Sequence, residues 1–262
     1  MPNGARYINS LLGVFPTKAA TSALSLSAAQ AVSLEGILRT DANDHFYSAC
    51  ASLVDAIRGL DSGFYTWATV KCYYSVFYSL RALLAMDGVC ILYVPRSDNK
   101  ISEYWIQSAA GSKLVTEPGW RGTHKLTLNV FGRQNPGHRL LSNPIENLSP
   151  TSWLIDKREE SNYRRSRFSE PEAPDHFRYV ESDGVRSLLV AYIDDDAYMY
   201  TFQKDHAMLA FPLAALIHTG KTLQANGGAG IENHELLFLT TKCRDRQGQI
   251  SRLVSLFREL AK

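Results

Sequence analysis

The chain has few cysteines, little net charge and no long uninterrupted apolar run, and each shortage argues against a class of protein. Its four cysteines, Cys50, Cys72, Cys90 and Cys243, are scattered, with no C-x-x-C pair and no Cys/His cluster. Neither a zinc site nor a disulfide framework is expected from such spacing; buried thiols in a reducing, cytoplasmic setting are. The longest apolar stretch, 63–94, is broken by Lys71, Arg81 and Asp87, so no membrane span and no membrane partner are expected. A formal net charge of +2 is too small to indicate nucleic-acid binding by itself, and any such function must rest on local clustering. There is no G-x-S-x-G elbow. "NGGAGIE" lacks the Lys-Ser/Thr of a phosphate loop and reads as a link between helices. No acidic residue precedes Glu35, and Arg6 and Lys18 stand among Ser, Ala and Thr, which mimics a transit peptide. We read this segment instead as packing on the body.

What is present is mostly helical punctuation. "SAAQAVSLEGILR" (27–39) reads as a helix. A second is expected after it, capped by Asp41 or Asn43, with apolar positions at Phe46, Ala49, Leu53 and Ile57 and glycines near its end. "FYTWATVKCYYSVFYSLRALLAMDG" is apolar on nearly every side and predicts a central, buried helix ending at Gly88. Residues 89–120 read as irregular, with a short extended piece at "CILYV". "THKLTLNVFGRQ" predicts a short helix opened by Thr123, followed by a proline-rich link. The charged run "WLIDKREESNYRRSRF" (153–168) is the next helix, and a proline-broken connector follows it. "GVRSLLVAYIDDDAYMYTF", "DHAMLAFPLAALIHTGKTLQAN" and "ISRLVSLFRELA" read as helical, while "ELLFLTT" (235–241) is ambiguous between helix and strand. With no repeats and no alternating β region, the fold class is all-α.

Two readings compete for the charged run. As a solvated face it would be laced by ion pairs, with Glu160 and Arg164 one turn apart. Against that, Trp153, Leu154 and Tyr163 require part of this helix to be buried, which sets Arg158 at the boundary with Asn162 on the same face. Asp194, Asp195 and Asp196 fan out if helical and do not converge on an ion, so a solvated turn is expected there and no metal. His206, His218 and His234 are scattered and read as ordinary structural histidines.

The order of elements resembles the HEPN superfamily, in the prokaryotic form associated with nucleotidyltransferases or phage defence. Three motifs carry the resemblance: the aromatic helix "CYYSVFYSLRALLAMDGV", the Thr-His-opened helix "THKLTLNVFGRQ", and "IDKREESNYR", a helix bearing arginine, further charges and an aromatic. It covers roughly residues 41–170. On this basis 1–40 is an N-terminal segment packed on the body, 41–170 a HEPN-like helical bundle and 171–262 a C-terminal helical extension. The resemblance implies an RNA-directed effector of a prokaryotic defence or toxin–antitoxin system. It would act as a homodimer or with a partner defence protein.

In catalytic members an arginine is followed four to six residues later by a histidine, and the pair cleaves RNA without metal or cofactor. Arginine holds phosphate bidentately, and histidine moves protons near neutral pH. Here the spacing from Arg158 is met by Tyr163, whose ordinary pKa of ~10 makes it a poor base. The resemblance therefore assigns Arg158 to phosphate, Asn162 and Tyr163 to its orientation, and Glu159 to local geometry. Arg164, Arg165 and Arg167 become phosphate contacts, with Tyr163 or Phe168 as a stacking surface. Arg133 and His138 also satisfy the family spacing, across a proline turn, and His124 with Arg133 is a further candidate pair. The alternative is a HEPN-derived scaffold or binding subunit without chemistry.

Overall fold

A computed structural model describes residues 1–98, 100–117, 122–164, 166–228 and 230–261. Among the described residues there are ten α-helices and two two-stranded antiparallel sheets, with 63% of the chain helical, which meets the expected all-α class. None of these helices is long and apolar enough to cross a membrane. The chain divides into two compact units, 1–45 with 80–134, and 46–79 with 135–262. Helices α3 (Ala28–Asp61) and α4 (Tyr65–Met86) contribute to both.

In the first unit, α1 (Asn3–Leu12) buries Gly4, Ala5 and Ile8, and α2 (Lys18–Ala23) is capped by the Thr17 hydroxyl. No helix starts at Asp41: α3 runs unbroken through it, because neither proline nor a turn sequence interrupts 28–61. Asp41 serves a different helix. Its carboxylate accepts the Asn3 N–H at 2.8 Å, the Asn3 side-chain amide at 2.9 Å and the Gly4 N–H at 2.7 Å. An anion so placed satisfies orphan amides of α1 and complements its dipole. Gly88, at φ +76°, ends α4; a Cβ there would stand 2.4 Å from the Ser108 hydroxyl, so only glycine fits.

The segment expected to be irregular holds a hairpin instead, β1 (Val89–Pro95) paired antiparallel with β2 (Ile101–Gln107). Cys90, Ile91, Leu92 and Val94 are all buried, so β1 reads as a continuous apolar run rather than an alternating one. Helix α5 (Thr123–Gln134) follows where "THKLTLNVFGRQ" predicts it.

In the second unit, α3 ends at a left-handed Gly63, with the Phe64 N–H returning to Gly59 O at 2.8 Å. The next elements are α6 (Pro150–Glu159), α7 (Arg178–Ile193, kinked at Gly184) and α8 (Ala207–Ala225). The unit closes with α9 (Asn233–Lys242), the short β3 (Arg244–Asp245) and β4 (Gly248–Gln249), and α10 (Ser251–Leu260). The ambiguous "ELLFLTT" is thus helix, started by a reciprocal Glu232–Glu235 capping box. Asp194–Asp196 leave the helix as a turn, in which Asp195 accepts the Met199 and Tyr200 amides at 2.8 and 2.9 Å. The core is apolar and aromatic, with Phe46, Tyr73, Trp153, Phe177, Phe211 and Phe257 almost fully buried.

Candidate functional site

Helix α6 is set in place before it presents any charge. Ser149 caps it and Pro150 occupies its first turn, where a missing N–H costs nothing. Upstream, Glu146 and Asn147 both have positive φ and close a tight turn between Ile145 and Leu148. That turn aims the Glu146 carboxylate at the Trp153 indole N–H, at 2.7 Å. The hydrogen bond from Trp153, helped by Lys157 and Lys204, holds the Glu146 carboxyl below its ordinary value. Trp153 and Leu154 then anchor the inner face of α6.

The run does not continue as the α-helix expected through residue 168. It widens into a π-turn over Glu160–Arg164, where the backbone repeat is five residues rather than four. This changes every pairing drawn on α-helical spacing. Arg164 does not meet Glu160; it reaches back to Asp156 at 2.5 Å and Glu159 at 3.0 Å. Lys157 takes Glu146 at 3.6 Å and Glu160 at 3.9 Å. The widened turn also brings Tyr163, five residues on, over Arg158.

Arg158 is the exception on this helix. Among the described residues no carboxylate lies within 4.0 Å of it. Its guanidinium carbon stands 5.5 Å from the centre of the Tyr73 ring on one side and 5.3 Å from that of Tyr163 on the other. Its Nε is buried without a hydrogen-bond partner. Tyr73 is 1% exposed and Tyr163 68% exposed, so the cation has a buried aromatic wall and a solvent-facing aromatic cover. Cation–π contacts offset part of the desolvation, but a buried unsatisfied donor remains costly. Burial pushes the Tyr73 phenol up, against the pull of Arg158.

The other assigned residues fall into three groups. Asn162 is half-buried on the π-turn beside Tyr163, and Glu159 is engaged by Arg164. Arg167 and Phe168 are exposed just beyond it, and Phe168 packs edge-on against Trp67 at 6.2 Å. Arg165 lies outside the described residues. His124 and Arg133 sit on α5 in the other unit, where Arg133 pairs with Glu117. His138, in the second unit, turns toward His218 and the Leu140 amide.

Tyr73 was missed by the sequence reading as a site residue, since in a helix so rich in aromatics nothing distinguishes the ring that faces Arg158. The strap after the π-turn was missed as well. Glu170 accepts the Thr66 N–H at 2.8 Å and its hydroxyl at 2.7 Å, clamping residues 169–176 to the first turn of α4. His176 lies 3.0 Å from the Thr69 hydroxyl. A cavity of about 290 Å³ between this strap and α6 is lined by Lys157 and His176 but also by Glu160, Glu172 and Asp175. Three carboxylates make it a poor phosphate site.

No curated protein and no solved structure matches the chain. The family model described as HEPN domain matches residues 42–91. That stretch holds the later part of α3, all of α4 and the start of β1, and with it Tyr73. The resemblance to the HEPN superfamily is supported over this segment, and the arginine helix α6 lies beyond it.

Proposed function

We propose that this chain is an RNA-directed effector of a prokaryotic defence or toxin–antitoxin system and cleaves RNA without metal. The observation that carries the reading is Arg158, a cation with no carboxylate within 4.0 Å among the described residues, on a helix where Arg164 and Lys157 are both paired. A guanidinium in that state has its fork available for a phosphate. Tyr163 covers it and has an exposed ring face on which a base can stack. In the proposed step Arg158 stabilises charge developing on the phosphate while Tyr163 and Asn162 orient it. A second copy, or a partner protein, adds its own groups across the exposed face.

The second reading is a non-catalytic RNA- or partner-binding subunit. It is favoured by one observation: Tyr163 stands at the histidine spacing, and Glu159, the nearest alternative base in sequence, is held by Arg164. Incubating the protein with single-stranded and folded RNAs in EDTA separates the two. Cleavage supports the effector reading; tight binding of RNA left intact supports the binding subunit; neither binding nor cleavage, with or without divalent metal, removes RNA from the account. A neighbouring nucleotidyltransferase or other defence gene is the finding expected for the defence setting.

A further inference from the structure

A separate ionisable pair joins the chain ahead of α6 to helix α8. His138 caps the 3₁₀ turn Arg139–Leu141, its Nδ1 accepting the Leu140 N–H at 3.1 Å. Its Nε2 lies 2.9 Å from Nε2 of His218 on α8, with the two rings edge-on at 84°. A ring nitrogen that accepts a backbone N–H carries no proton. Neutral His138 is therefore protonated at Nε2 and donates to His218, whose own proton sits on Nδ1. The same logic excludes a metal bridging the two Nε2 atoms. A metal-bound imidazole uses its second nitrogen as a donor, and here that nitrogen is already an acceptor.

We infer that the His138–His218 pair is a proton-operated latch, fastening the turn before the arginine helix to α8 and opening in mild acid. The turn touches both α6 and α8, so the latch lies between the helix that carries Arg158 and the most apolar helix of this unit. The inference stands apart from the RNA reading. Neither ring can take a second proton in place. On His138 Nδ1 it would point at the Leu140 N–H, and on His218 Nε2 it would point at the proton of His138.

The surroundings add to the penalty. Arg139 extends from the turn itself, stacked on Tyr198 at 4.1 Å and bonded to the Asp196 carbonyl. Lys221 lies one turn further along α8, and the Asp195 carboxylate is occupied by backbone amides. Burial, then His218, holds His138 down at about 4; burial, then Arg139 and Lys221, lowers His218. Both folded values lie below the ordinary 6.5, so the closed latch binds fewer protons than the open one. Closure is complete above that value and weakens as pH falls below it, by up to about tenfold per pH unit for His138 down to about 4, with His218 acting in the same direction.

The test is an imidazole NMR titration of the full chain, with the protection factor of the Leu140 amide followed by hydrogen exchange. The two rings are expected to titrate together, below 6.5, with Leu140 protection falling over the same range while the core amides of α8 stay protected. His218→Gln keeps an acceptor for His138 but cannot be protonated, and should flatten the fall; His138→Asn, which keeps the cap, is the second variant. Rings titrating independently near 6.5, or a Leu140 profile unchanged in a folded His218→Gln protein, overturns the latch. Should both variants fail to fold, the wild-type ring titration alone decides.

Discussion

Asp41 and Arg158 are both charged residues on helices that bury an apolar face, and the fold treats them in opposite ways. Asp41 is 3% exposed and spends both oxygens on three donors of α1. Arg158 is only partly buried, meets no carboxylate among the described residues and leaves its Nε unbonded between two tyrosines. The first is a charge whose interactions are complete without any ligand. The second is a charge whose interactions are incomplete, and a folded protein tolerates that where an incoming group completes them. The contrast assigns Asp41 to stability and is the reason Arg158 is the residue proposed to meet phosphate.

Three substitutions probe the contrast, in order of decreasing effect. Asp41→Ala strands three donors, two of them backbone amides of α1, and should cost about 2–4 kcal/mol in urea unfolding. A loss under about 0.5 kcal/mol would mean that water replaces the carboxylate and that Asp41 is no structural anchor.

Tyr163→His places a group that titrates near neutrality over Arg158. It should raise RNA cleavage at pH 7 at least tenfold, within the ordinary range of general acid–base catalysis of about 10²–10⁴. An unchanged rate would mean that proton transfer at position 163 does not limit the reaction.

Glu170→Gln weakens the clamp on Thr66 and should cost about 1 kcal/mol at pH 7. Burial pushes the Glu170 carboxyl up, but the Thr66 and Ser169 hydrogen bonds outweigh it and hold the value below 4.5. The folded value is depressed, so this stabilisation is complete above pH 4.5 and lost as pH falls through the folded value. Unfolding followed from pH 5 to 2.5 should therefore show a shallower acid loss in Glu170→Gln than in wild type. Parallel curves would assign the acid sensitivity to other groups.

The helices were legible wherever burial follows one period or covers a whole element. The all-round apolarity of 64–86 gave α4, and "THKLTLNVFGRQ" gave α5. The hairpin was not legible because β1 is covered on both faces, which erases the alternation that marks a strand. The boundary at Asp41 was misplaced because a residue typical of helix caps was capping a helix elsewhere in the chain. At the candidate site Arg158 could be singled out from its place beside Trp153 and Leu154. Tyr163 was named beside it from the family spacing, although not the π-turn whose five-residue repeat sets its ring over Arg158. Tyr73 could not be named, because it comes from a helix far away in sequence. Short-range charge arithmetic failed at the same point, pairing Arg164 with Glu160 where the widened turn pairs it with Asp156 and Glu159.

The most direct test of the central claim sets Arg158→Ala beside Arg164→Ala, measuring RNA affinity and cleavage in EDTA together with urea unfolding. Arg158→Ala is expected to lower RNA cleavage by about 100-fold or more while stability changes by less than about 0.5 kcal/mol. Arg164→Ala, which removes two exposed ion pairs, to Asp156 and Glu159, should leave stability within about the same margin and reduce cleavage far less. An Arg158→Ala protein that loses more than about 2 kcal/mol of stability, yet binds and cuts RNA as the wild type does, would contradict the account and make Arg158 a packing residue like its neighbours.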